Sequence, residues 1–75
     1  MNKVKFARLE AGYTQTKLCK LVKTSPKKLV EIERGNTDNV SKILMIRLSQ
    51  ALKTPIKELF FEDVKEYEVV RNEYI

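Results

Sequence analysis

Apolar residues in this chain recur at helical spacing, and the breaks between periodic stretches fall at residues that stop or start helices. Glycine occurs only at Gly12 and Gly35, and proline only at Pro26 and Pro55. Along about residues 3–11, Val4, Ala7, Arg8 and Ala11 share one helical face while Phe6 and Leu9 point elsewhere. Gly12 then supplies a left-handed stop without a Cβ penalty. A second stretch opens on Thr14 as N-cap and runs to about Val22, with Leu18, Cys19 and Val22 on its inner side. Ser25-Pro26 joins a capping hydroxyl to a residue suited to the first helical position. A third helix is therefore predicted to start at Ser25-Pro26 and to run on through Lys27 to Arg34, with Leu29 and Ile32 inward and Gly35 ending it. The fourth is predicted from Asp38 or Asn39 to about Leu52, carrying Val40, Ile43, Leu44, Leu48 and Leu52. Thr54-Pro55 repeats the start signal for a short fifth helix bearing Ile56, Leu59 and Phe60. The fold class expected is all-α, with five short helices over the first 60 residues.

The stretch from Phe61 to Ile75 reads less simply. Val64, Tyr67, Arg71 and Tyr74 fit a helical stripe, whereas Tyr67-Glu68-Val69 with Val70 fits an edge strand. The abundance of Val, Tyr and Ile and the lack of a cap favour an extended segment. The chain thus divides into a helical domain over residues 1–61 and a C-terminal tail over 62–75.

Composition narrows the chemistry. Seventy-five residues allow one small domain. Cys19 has no partner for an internal disulfide, and the lack of histidine removes Ser-His-Asp and Cys-His catalysis and the usual Cys/His zinc sites. Neither a paired acid and base nor a phosphate-cradling glycine loop is present, so no enzyme, cofactor or metal is expected. No apolar run approaches the ~18 residues of a membrane span, and no secretory signal opens the chain. A cytoplasmic protein is the expectation.

Charge is unevenly distributed. Residues 1–57 hold 13 Lys/Arg against 4 Asp/Glu, a net of +9, whereas residues 58–75 hold 2 against 6, a net of −4. A basic body suggests an anionic partner, although a solvated lysine-rich surface gives the same count.

The second and third predicted helices, joined by Lys23-Thr24-Ser25, form a helix-turn-helix arrangement. The second helix of such a pair enters the major groove only if its outer face is polar. The outward positions here are Lys27, Lys28, Val30, Glu31 and Arg34. Lysine donates to guanine or phosphate, glutamate accepts from a cytosine amino group, and valine can meet a thymine methyl. The amide groups at the start of the preceding helix, at Thr14 and Gln15, suit a backbone phosphate.

Gly12-Tyr13-Thr14-Gln15, then Leu18-Cys19, Ser25 and Ile32-Glu33-Arg34-Gly35, resembles the lambda-repressor-like helix-turn-helix family of phage Cro and repressor proteins and xenobiotic-response-element-type regulators. Leu48-x-x-Ala51-Leu52 and Thr54-Pro55-x-x-x-Leu59-Phe60 look like that family's last two helices, so the resemblance covers roughly residues 3–61. It implies that Gln15 bonds a phosphate and steadies a recognition-helix side chain. It also implies base reading by the opening of the recognition helix at Lys27 and Lys28 and by Glu31. Asn36 and Thr37 match a loop that meets the sugar-phosphate backbone, and Arg8 and Glu33 fall where the family has an ion pair. The chain departs from the family at Lys23, where glycine is usual. A side chain in the left-handed conformation costs about 1 kcal/mol, which points to an altered turn. Cys19 replaces a small residue and serves as a compact hydrophobe. The loop 35–41 is about one residue longer than the family's.

One recognition helix reads too few base pairs for selectivity, so a homodimer on an inverted repeat of double-stranded DNA is expected. The apolar residues of the C-terminal part, Ile56, Phe60, Phe61, Val64, Tyr67 and Val69 with Tyr74, are the expected dimer surface. The leading reading is a phage- or prophage-type repressor without a sensory domain. Two alternatives stand beside it: an antitoxin whose tail covers a toxin, and a helix-turn-helix protein-interaction module without DNA affinity. Copurification of a small basic toxin marks the first, and lack of salt-dependent DNA binding marks the second.

Overall fold

The computed structural model describes residues 2–61. They form five helices in order: α1 (Val4–Glu10), α2 (Gln15–Val22), α3 (Pro26–Glu33), α4 (Lys42–Leu52) and α5 (Ile56–Phe60). No strand occurs among the described residues, and the all-α expectation holds. The tail over 62–75, with the choice between helix and strand made for it above, lies outside the described residues.

Hydroxyl caps start three of the helices. Thr14 Oγ1 accepts from the Lys17 amide at 3.1 Å, Ser25 Oγ from Lys28 at 3.1 Å, and Ser41 Oγ from Leu44 at 3.2 Å. Each oxygen takes up a donor that the first helical turn cannot satisfy by itself. The cap at Ser41 corrects the expected start of α4, because Asp38 and Asn39 lie in a turn before it. Val40 is consequently outside the helix, yet it still packs against the core. Ile43 is 51% exposed. Leu44, Leu48 and Leu52 share the buried face at four-residue spacing, and the residue before Leu44 is rotated about 100° away from it. Ala11 is likewise exposed, because α1 ends at Glu10 and Ala11 stands past its inner face. Thr54 does not cap α5: its hydroxyl donates to the Leu52 carbonyl at 2.9 Å, and Pro55 occupies the cap position with no side-chain oxygen to offer.

The turn after α2 keeps a left-handed residue despite the missing glycine. Lys23 has φ 59° and ψ 53°, and both its amide and that of Thr24 converge on the Cys19 carbonyl, the second at 3.0 Å. The altered turn expected for a lysine is not found. Lys53 does the same after α4, at φ 53°, with its own amide and that of Thr54 on the Ser49 carbonyl. In each case the helix end gains two bonds to one otherwise orphaned carbonyl, which offsets the backbone cost.

Val4, Leu18, Cys19, Val22, Leu29, Ile32, Leu44, Leu48, Leu52 and Leu59 form one core. α2 packs on both α3 and α4, while α1 bridges α3, α4 and α5. The Lys3 amide donates to the Leu59 carbonyl at 3.2 Å, which pins the start of α1 beside the end of α5. The packing holds α3 by its inner residues and turns its other face outward.

Candidate nucleic-acid interface

The loop of three residues between α2 and α3 sets the second helix across the first, with Leu29 and Ile32 buried beneath it. The five positions expected to face outward divide. Lys27 and Arg34 are exposed, whereas Lys28, Val30 and Glu31 are half-buried. Lys28 Nζ donates to the Asn39 carbonyl at 2.9 Å, so its ammonium ties α3 to the 35–41 loop. In that loop the exposed Asn36 is fixed by its amide bond to the Glu31 carbonyl at 2.9 Å. Thr37 is half-buried, and its carbonyl accepts from the Val40 amide at 3.4 Å.

Glu33 gathers three helices. Arg8 Nε lies 2.6 Å from Glu33 Oε2 and Arg8 Nη2 lies 3.3 Å from Oε1, with the two side chains 8% and 5% exposed. Arg8 Nη1 donates to the Tyr13 carbonyl at 2.9 Å. The guanidinium is thus paired and hydrogen-bonded, the condition for a charge to be buried without a large penalty. Gln15 Nε2 adds a third donor to the same carboxylate, 3.0 Å from Oε1. The bond holds the first residue of α2 against the last residue of α3. A second N–H of the Gln15 amide remains to donate elsewhere.

Two residues outside the expected site support it. Asn2 Nδ2 donates to the Ile32 carbonyl at 2.6 Å while its Oδ1 accepts from the Val4 amide at 3.0 Å, joining the start of α1 to α3. An Asn just ahead of the first apolar periodic residue was the available signal. Tyr13 contributes its backbone carbonyl to Arg8, for which no side-chain pattern gives a sign. Cys19 is buried near the Arg8–Glu33 pair. Burial chiefly pushes its thiol above the usual range, the Glu33 charge pushes the same way, and Arg8 opposes them. The thiol therefore stays neutral and packs as a hydrophobe.

Of the residues expected at a dimer contact, Ile56 and Phe60 are half-buried, Phe60 packs against the core, and Phe61 is exposed. The Phe60 and Phe61 rings sit 6.4 Å apart at a 56° tilt. Val64, Tyr67 and Val69, together with Tyr74, lie outside the described residues. Larger exposed apolar groups occur on α1, at Phe6 and Leu9.

A helix-turn-helix family model matches residues 4–59, from the first residue of α1 into α5. The chain belongs to the lambda-repressor-like helix-turn-helix family. As a Cro-type helix-turn-helix protein it is a DNA-binding regulator. No curated protein matches the sequence. Among the described residues of this helix-turn-helix protein, no helix is long and apolar enough to cross a membrane.

Proposed function

We propose that this helix-turn-helix protein is a sequence-specific transcriptional repressor of the phage or prophage type, binding an inverted-repeat operator as a homodimer. The observation that carries the reading is the Gln15–Glu33 bond, which locks the start of α2 to the end of α3 as one rigid unit. In this unit α3 is the recognition helix. Lys27 and Lys28 at its opening, and Val30 and Glu31 on its outer side, approach base edges or neighbouring phosphates. Lys28 has three donors, so it can keep the Asn39 carbonyl while offering another to DNA. The Thr14 hydroxyl serves the Lys17 amide, which leaves the Gln15 and Thr16 amides and the second Gln15 side-chain N–H for a phosphate. Asn36 and Thr37 flank that backbone contact from the 35–41 loop. Glu31 disfavours sites that place a phosphate against it, which adds selectivity by exclusion.

The dimer is ascribed to the C-terminal part of the chain, at the half-buried Ile56 and Phe60, the exposed Phe61, and Val64, Tyr67 and Val69 beyond them. The test is selection of binding sites from random duplex DNA. A palindromic consensus with half-sites about one helical turn apart is the expected result. Recovery of no consensus sinks the sequence-specific reading, and a non-repeated consensus sinks the dimer. Sedimentation at high micromolar concentration gives a second check, since a monomer there also excludes the dimer.

A further inference from the structure

We propose that the groove between α2 and the second half of α4 docks an acidic peptide segment of a partner protein, one that carries an apolar side chain among its carboxylates. Tyr13, Leu21, Arg47, Gln50, Ala51 and Lys53 line this groove of about 330 Å³. Its lining divides by chemistry. Leu21, 47% exposed near the end of α2, and Ala51 are the aliphatic part. A hydroxyl, a guanidinium, an amide and an ammonium stand around them.

Three observations select the occupant. The first is charge: Arg47 and Lys53 are cations, and no carboxylate lines the groove to offset them, so it attracts an anion. The second is unspent donors. Among the described residues, no hydrogen bond or ion pair engages the Tyr13 hydroxyl, the Arg47 guanidinium, the Gln50 amide or the Lys53 ammonium. Arg47 is half-buried, and its planar fork matches a carboxylate through two parallel bonds. The third is the mixture of charge with apolar surface, which continues past the groove. Exposed Lys17 precedes Leu21 by one turn on α2, and Ile43, 51% exposed, precedes Arg47 by one turn on α4. Nucleic-acid phosphates satisfy the cations but offer nothing to Leu21 or Ile43. A small organic acid is left largely wet, since the volume is at the lower limit for ligand pockets and the groove is open. A peptide with carboxylates and an apolar side chain meets both needs and extends along the helices. Lys53 lies about 16 Å of helical rise from the start of α4 beside the 35–41 loop. Docking at that end leaves the opening of α3 uncovered and does not depend on DNA binding.

Selection of random nine-residue peptides displayed on phage, against the immobilised full chain, tests the docking. Enrichment of sequences in which acidic residues flank an apolar one is expected. Enriched peptides without acids, or no enrichment over a bare surface, overturn the proposal. The most enriched peptide, made with capped ends, is then titrated into the isotope-labelled full chain and followed by nuclear magnetic resonance. Saturable shifts are expected at Tyr13, Leu21, Arg47 and Gln50. Shifts confined to Phe6 and Leu9 or to the opening of α3 overturn the placement. Mixed-sequence duplex DNA in place of the peptide is expected to leave those four signals unmoved, and saturable shifts there give the groove to phosphate instead. Leu21→Ser and Arg47→Gln are each expected to weaken the peptide by roughly fivefold or more. The peptide with its carboxylates replaced by amides is expected to lose at least as much on the unaltered chain, so the result does not hang on how the variants fold. Undiminished binding of that peptide refutes the docking.

Discussion

Glu33 accepts from Arg8 on α1 and from Gln15 on α2 while standing at the end of α3, with almost no solvent access. Replacing it by alanine strands the Arg8 guanidinium with only the Tyr13 carbonyl as partner. The expected loss is about 3–5 kcal/mol in urea titration. Arg8→Met with Glu33→Leu together is expected to cost less than Glu33→Ala alone, because no unpaired charge is left behind. Lys23 offers the opposite case. Glycine there relieves about 1 kcal/mol of left-handed strain but frees the unfolded chain, so Lys23→Gly is expected to stabilise by about 0.5 kcal/mol. Lys20→Gly, within α2, is expected to destabilise by about 1 kcal/mol, and thermal melts of both variants measure the two effects. Cys19 gives a pH signature. Its folded thiol holds the proton more tightly than the unfolded thiol does. Its contribution is therefore present below the unfolded thiol value, about pH 8.5, and is lost as pH rises through the higher folded value. The stability difference between the native chain and Cys19→Ala is expected to shrink across that alkaline window.

At the level of elements, caps decide where helices begin. Ser25→Ala and Ser41→Ala are each expected to cost about 1 kcal/mol in chemical denaturation, with Thr54→Ala costing less because its hydroxyl caps nothing. The order and number of helices were legible because Gly12, Gly35 and the Ser25-Pro26 pair each carry a local backbone instruction. The start of α4 was not, because Asp38, Asn39 and Ser41 are all competent caps in close succession. The choice falls on Ser41, whose oxygen reaches the Leu44 amide while Leu44, Leu48 and Leu52 face the core. That phase is a property of the packed bundle and not of the local sequence over residues 38–44. The left-handed lysines were also illegible, since their compensation comes from two amides meeting one carbonyl.

Across the whole molecule, the +9 of residues 1–57 leads us to expect a large electrostatic, phosphate-directed share of DNA affinity. A steep fall of affinity with rising salt is expected, and Lys27→Ala is expected to reduce the logarithmic salt slope by about 1 if that lysine meets a phosphate. Filter binding across a salt series measures both. At this scale the candidate surface was legible as a charge imbalance and a helix-turn-helix spacing. Its internal wiring was legible only in part: the resemblance put Gln15 on a recognition-helix side chain without naming Glu33, and the Lys28–Asn39 bond joins residues whose meeting depends on how α3 sits against its neighbours. The shared carboxylate at Glu33 also sets how loss-of-function alleles would sort in a genetic screen. On the proposed repressor-dimer reading, substitutions at Gln15 would yield folded protein that fails to silence a reporter, and overexpression would let it poison the proposed wild-type dimers. Substitutions at Glu33 would be lost from the cell by degradation and remain recessive, so on the proposed reading dominance separates a residue proposed to meet the operator from one that ties the helices together.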